Sequence, residues 1–179
     1  PNDVDNDGIP DHEDDDTHDV RNADIGSNGL ITISTLEQLN AIRYNLAGTG
    51  LRMSPDDEVD ASGCPVQSIN GIPQRACWGY ELAEDLNFDT NGDGVLDAND
   101  RYWSDEEGWV PLGSYSEPFA GIFDGNGHEI RNLTINRPSS AYQGFFGFTE
   151  GAEIRNLGLT GPLMSIEGSH YVGALTGRV

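Results

Sequence analysis

The chain has 179 residues, and its 31 acids face nine bases, all of them arginine, for a formal net charge of -22. That balance excludes nucleic acid as a partner, whose phosphates are repelled rather than neutralised, and it fits a chain whose charge is offset by bound cations. A hydrophobic content of 36% with 23 glycines suits a turn-rich β protein better than a packed α/β enzyme, and no apolar run is long enough to span a bilayer.

Nine of the first nineteen residues are acids, and the opening "PNDVDNDG" reads as the middle of a longer protein. In "DVDNDGIPDHED", Asp3, Asp5 and Asp7 alternate, Gly8 and Ile9 follow, and Asp11 and Asp14 close the run, with Asp15, Asp16 and Asp19 beyond. Crowded carboxylates repel one another until a divalent ion neutralises them, and calcium takes roughly six to eight hard oxygens. The side chains of Asp3, Asp5, Asp7, Asp11, Asp14 and Asp16 and the carbonyl of Ile9 are therefore candidate calcium ligands, with His12 and His18 read as solvated. A solvated acidic tail is the alternative. The string DxDxDGxxDxxD resembles a thrombospondin type 3 repeat in its cysteine-free form. The resemblance implies that 1–19 is the end of a calcium-rigidified stalk, joined by a linker at 20–29 to a domain over 30–179.

"LITI" at 30–33 is a predicted strand, and "STLEQLNAIRYNLAG" a predicted helix of about twelve residues. Ser34 is the expected N-cap, Glu37 its capping-box partner and Gly48 the stop; Leu36, Leu39, Ile42 and Leu46 form one apolar stripe. Cys64 and Cys77 bound a loop-like stretch, "CPVQSINGIPQRAC". Two separate thiols are one reading; a disulfide is preferred, worth about 3 kcal/mol for a loop of this size and placing the protein outside the cytosol.

"DTNGDGVLDAND", residues 89–100, repeats the acidic order. With Asp89 at position one, Asn91 falls at three, Asp93 at five, Gly94 at six, Val95 at seven, Asp97 at nine and Asp100 at twelve. This is the ligand order of an EF-hand-type calcium loop, with side-chain oxygens at one, three, five, nine and twelve, a backbone carbonyl at seven and a turning glycine at six. Position twelve is Asp rather than Glu, as in dockerin-like loops, which leaves bidentate closure open.

"FAGIFDGNGHEIRNLTI" (119–135) aligns with "YQGFFGFTEGAEIRNLGL" (142–159). Phe119 matches Tyr142 and Phe123 matches Phe146 at a spacing of 23, while Ile130 matches Ile154 and Asn132 matches Asn156 at 24. A third copy opens at "YVGALTG", where Tyr171 follows Tyr142 by 29. Such self-similarity, with short alternating runs broken by Gly and Asn, predicts a right-handed parallel β-helix solenoid. Ile130, Leu133 and Ile135 are expected inside, with Ile154, Leu157 and Leu159 one rung above. Asn132 and Asn156 are expected at corners, bonding along the axis, so the sequon at Asn132–Thr134 reads as structural. These phrases, with "GYELAEDLNFD" and "WVPLG", resemble the GLUG-type β-helix repeats of large bacterial surface proteins. The resemblance implies a fold and a surface setting, and the helix then caps the first rung.

No HExxH or GxSxG occurs. Asp105, Glu106, Glu107 and Asp124 are the acids a β-helix glycosidase would use, and solvated surface acids are the alternative. Trp78, Trp103 and Trp109, with Tyr102 and Tyr115, are candidates for a glycan platform or for the core. The expected function is a calcium-stabilised, non-catalytic extracellular module: stalk, adhesin or fibre subunit. Its expected partners are calcium, other copies end to end or through its faces, and a glycan or cell-surface ligand. The alternatives are an accessory region of a secreted polysaccharide- or peptide-cleaving enzyme, or a carbohydrate-binding module.

Overall fold

Short strands rich in β-branched and aromatic residues must find distant partners for their backbone groups, and here those partners are parallel strands far along the chain. The computed structural model describes residues 25–103 and 106–179, so the stretch from Asp3 through Asp5, Asp7, Ile9, Asp11 and Asp14 to Asp16 lies outside the described residues. What is described is all-β apart from one short helix. In chain order it comprises β1 (Leu30–Ile33), α1 (Leu36–Ala41), a 3-10 turn (Ile42–Tyr44), β2 (Val66–Ile69), β3 (Ile72–Arg75), β4 (Gly79–Leu82) and β5 (Leu86–Asn87). Then follow β6 (Ile122–Asp124), β7 (Glu129–Arg131), β8 (Thr134–Arg137), β9 (Phe146–Phe148), β10 (Glu153–Arg155), β11 (Gly158–Thr160), β12 (Ser165–Gly168) and β13 (Thr176–Arg178).

The sheets are small: β1-β4-β6-β10, β11-β7-β5, β12-β8 and β13-β9 are parallel throughout, and β2-β3 is antiparallel. Phe123 pairs with Ile154, Ile130 with Leu159, Ile135 with Ile166 and Phe146 with Thr176, offsets of 29 to 31 residues. This corrects the stacking expected from the sequence, where Ile154 lay above Ile130. Both copies of the EIRNL phrase form the same local unit of strand, Asn corner and strand. The second copy, however, occupies β10–β11, beside β6 and β7 rather than β7 and β8. The phrase encodes a corner; the length of the circuit decides what lies above it.

The corners themselves are as expected. Asn132 (φ 59°) and Asn156 (φ 53°) are left-handed, where Asn is the best-tolerated residue after Gly. Their amides do bond across strands, though not to one another: Asn132 Nδ2 donates to Asn87 Oδ1 (2.9 Å) and Asn156 Nδ2 to Asp124 Oδ1 (3.0 Å). Asn132 Oδ1 also accepts from Leu163 N (3.2 Å). Tyr142 and Tyr171, at the spacing of 29, stack with centroids 5.0 Å apart and planes 3° apart, both at positive φ.

The core is aromatic at its centre. Trp109, Phe119, Phe123, Phe145 and Phe146 are fully buried with Leu82, Leu112, Ile130, Leu133 and Ile135, and Ile31, Ile33, Leu39 and Ile42 join them. Ile154, Leu157, Leu159 and Ile166, on the last strands, are only half-buried.

Two local expectations are corrected. The helix spans six residues, and its N-cap is Thr35 with Gln38 completing the capping box, one position later than Ser34 and Glu37. At Ile42 it passes into the 3-10 turn, which closes where Asn45 leaves helical geometry (φ -147°, ψ 75°), and beyond it Tyr80 Oη donates to Asn45 O (2.7 Å) and Ala120 N to Leu46 O (3.0 Å). The stretch between the cysteines is a hairpin, β2–β3, turning at Asn70 (φ 54°) and Gly71 (φ 80°), the pairing of left-handed residues that a two-residue turn requires. The Cys64–Cys77 disulfide closes its base.

Asn132→Ala is expected to cost about 2–4 kcal/mol, from two lost hydrogen bonds and a strained left-handed alanine. Asn132→Gly, which keeps the bonds lost but removes the strain, is expected to cost less; thermal melts of both variants check the order. At another corner, burial opposes ionisation of Asp124, but hydrogen bonds from Arg155 (2.7 Å), Asn126 N (2.8 Å) and Asn156 outweigh it and hold the carboxyl below its ordinary value of 3.8. The folded form therefore gains from Asp124 above that pH and loses the gain as pH falls through the depressed value. Asp124→Asn is expected to lower stability by about 2 kcal/mol at neutral pH, with the gap to wild type narrowing in acid denaturation below pH 3.8.

Candidate metal centre

The segment 89–100 hangs from the core by apolar anchors at its ends. Phe88 is buried against Trp109 (centroids 5.2 Å), Leu96 packs on the core, and Tyr102 meets Trp109 edge-on (6.1 Å). Between these anchors the backbone turns through Gly92 (φ 71°) and Gly94 (φ 80°), with open space around both.

Within the loop, alternate polar side chains fold back on the main chain. Asn91 Oδ1 accepts from Asp93 N (2.9 Å), Asp93 Oδ1 from Val95 N (2.8 Å), Asp97 Oδ1 from Asn99 N (2.8 Å), and Asp89 Oδ2 from Gly94 N (3.2 Å). The Asx turns at Asn91, Asp93 and Asp97, with the longer-range bond to Asp89, fix the loop at positions three, five, nine and one. Asp100 is 8% exposed and closes it: Oδ1 accepts from Thr90 N (2.7 Å), Thr90 Oγ1 (3.1 Å) and Asn91 N (3.4 Å), and Oδ2 from Asp97 N (3.1 Å). Burial opposes the charge, and the donors from Asp97, Thr90 and Asn91 outweigh it, so its pKa lies below the ordinary value. Asp100 Oδ1 is saturated with donors, which makes position twelve a clasp with one oxygen left for a ligand.

Does the loop suit a divalent ion? Among the described residues Asp89 Oδ1 is buried without a hydrogen-bond partner, a costly state for a carboxylate oxygen unless a cation meets it. The donor set of carboxylates, a carboxamide and the Val95 carbonyl is all hard oxygen, as calcium requires. Among the described residues no three His, Cys, Asp or Glu side chains are gathered into a metal group. Asp89, Asn91, Asp93, Val95, Asp97 and Asp100 thus share one loop, with the acids standing apart. The residues fit the ion in chemistry, and Asp89, Asn91, Asp93, Asp97 and the carbonyl of Val95 would hold it, with Asp100 as the clasp.

Other singled-out residues are used structurally. Glu107 pairs with Arg137 (2.6 Å) and Asp124 with Arg155, while Glu106 is exposed; Asp105 lies outside the described residues. Trp109 is 1% exposed, stacked on Phe145 (6.0 Å) and covered by Arg43, so it cannot serve as a platform. Trp103 is half-buried, Trp78 is exposed, and Tyr115 packs on Tyr142 and Phe148. Asp85 went unnoticed in the sequence: it accepts from Glu129 N (3.0 Å) and faces His128 and Arg131. Its pKa is lowered, first by the Glu129 amide. No spacing announces it, because its partners lie more than forty residues away.

Among the described residues no helix is long and apolar enough to cross a membrane. No known family profile matches the chain, and no solved structure matches it. It is similar to a protein described as a Gly-rich membrane protein of Evansella cellulosilytica, 44% identical over 73 residues, 40% of this chain and 8% of that protein. It is also similar to halomucin of Haloquadratum walsbyi, 31% identical over 144 residues, 74% of this chain and 1% of halomucin. The chain therefore corresponds to a small part of each of these relatives.

Proposed function

We propose that this chain is a calcium-stabilised, non-catalytic module of an extracellular or cell-surface protein, serving as a stalk, adhesin or fibre subunit. The observation that carries the reading is the partnerless buried oxygen of Asp89, set in a loop whose residues follow the ligand order of a calcium site. An ion there neutralises Asp89, Asp93 and Asp97 and stiffens a segment anchored on Phe88 and Tyr102.

The architecture around it we read as a right-handed parallel β-helix of GLUG type, with α1 over the first coil and the thrombospondin type 3-like segment ahead of it. Parallel pairing at offsets of 29 to 31 residues supports this, as do the stacked Tyr142 and Tyr171. The disulfide favours an oxidising setting, in keeping with a relative named as a membrane protein. Correspondence to short parts of longer proteins supports the module reading. Partners on this reading are calcium, neighbouring copies along the coil axis or faces, and a glycan or cell-surface ligand.

Calorimetry on chelated protein tests it. Calcium at about a hundred times its Kd is expected to add roughly 2.7 kcal/mol and raise Tm by roughly 5–10 °C. Asp89→Ala and Asp93→Ala are expected to abolish that rise while leaving the calcium-free melt nearly unchanged. Absence of both binding heat and a Tm shift at millimolar calcium would sink the proposal.

A further inference from the structure

In a chain of 31 acids and nine arginines, two arginines that share one cleft without an ion pair to either among the described residues are the feature of interest. Arg101, Arg131, Arg137 and Arg155 each pair with an acid. Arg43, Arg52, Arg75 and Arg178 do not, among the described residues, and of these Arg43 and Arg52 line one cleft of about 500 Å³ with Tyr44, Glu117 and Pro118. A second cleft of about 330 Å³ shares Arg43 and Tyr44 and runs on to Tyr102.

Neutral acceptors hold both guanidinium groups. Arg43 Nε donates to Asn40 O (3.0 Å) and Asn40 Oδ1 (2.9 Å), Nη2 donates to Val110 O (3.3 Å), and the group lies 5.1 Å over the Trp109 ring. Arg52 donates from Nη1 to Tyr44 O (3.2 Å) and from Nη2 to Pro55 O, while its Nε is buried without a partner. Burial lowers the Arg43 pKa from its ordinary value. Two such forks, positioned in advance and without an ion pair among the described residues, suit a planar oxyanion.

We infer that the Arg43–Arg52 cleft binds a carboxylate borne on a sugar ring, an acidic saccharide of the uronate kind. Half-buried Tyr44 and Pro118 line this cleft and half-buried Tyr102 lines the adjoining one, so apolar ring surface lies close to the arginines for a sugar to pack on. A saccharide carries its carboxylates singly, separated by neutral rings, and so meets the two cations without setting a dense polyanion against a chain of charge -22. An acidic peptide has no such spacing. Glu117 sits on the cleft wall as the opposing charge. The inference stands independently of the calcium loop.

The test is titration calorimetry of the whole chain, at fixed calcium and low salt, with a glucuronate-containing tetrasaccharide. Comparison ligands are the same tetrasaccharide with its carboxyls reduced to alcohols, and tetra-aspartate. The acidic sugar is expected to bind saturably, and carboxyl reduction or Arg52→Gln to weaken it about tenfold or more. Glu117→Gln is expected to tighten it and added salt to weaken it. Arg43→Gln removes packing on Trp109, so Arg52→Gln and Glu117→Gln, checked for unchanged circular dichroism, decide the matter. Equal binding of the reduced sugar, equal or tighter binding of tetra-aspartate, indifference to Arg52→Gln, or no saturable binding would each overturn the inference.

Discussion

Parallel pairing between strands about thirty residues apart is the constraint on which the described structure rests. Such pairs cannot be made by a hairpin; the chain must travel round and return in register. The route turns where Asn126, Asn132, Tyr142, Asn156 and Tyr171 take positive φ. A left-handed residue with a Cβ costs roughly 1–2 kcal/mol, so each corner needs compensation. Asn126 obtains it by donating to Leu82 O (3.3 Å), Asn132 from Asn87 and Leu163, and Asn156 from Asp124. Tyr142 and Tyr171 obtain it by stacking on each other.

The same constraint explains how the chain tolerates large additions. From β4 to β6 and from β5 to β7 the offset is 43 to 44 residues, against 29 to 31 further on. The excess is close to the length of segment 89–100, which leaves the circuit at Phe88 and returns by Tyr102 and Trp109. Between β1 and β4 the offset is 49 and accommodates α1 and the disulfide-closed hairpin. In each case the buried pairs Ile31–Tyr80, Tyr80–Phe123 and Leu86–Ile130 are kept. The hairpin between the cysteines is largely exposed, whereas α1 and the 3-10 turn pack on the core through Leu36, Leu39 and Ile42 and the 89–100 segment is tied to it through Leu96.

Much of this was legible in the residues. Alternating apolar runs marked the strands, the repeated IRNL phrase marked the corners, and the spacing of 29 between Tyr142 and Tyr171 lies within the 29 to 31 residues that separate the paired strands. The spacing of 24 misled, because a corner phrase recurs at whatever face the chain has reached. The Asn70–Gly71 pair was a readable hairpin signal, passed over for the cysteines around it. The course of the chain after α1 was not readable, since Tyr80 and Ala120, which take the carbonyls of Asn45 and Leu46, are remote in sequence. Of the loop, the ligand order was plain, whereas the role of Asp100 as a clasp for Thr90 and Asn91 emerges only in three dimensions. The Arg43–Arg52 cleft left no mark in the sequence, for its partners are backbone carbonyls and an Asn.

These distinctions bear on why so acidic a chain holds together. Asp60, Asp85, Asp100 and Asp124 each accept a backbone amide, from Ser62, Glu129, Thr90 and Asn126 respectively, and each has its pKa lowered. A carboxylate bonded in this way stabilises the fold as an anion. Part of the negative charge is therefore structural mortar at turns and needs no counter-ion. Asp89 differs: one oxygen is bonded to Gly94 N, while the other is buried with nothing to meet it. The contrast separates acids with no buried oxygen left unmet from one with such an oxygen left over, a division that net charge alone does not reveal.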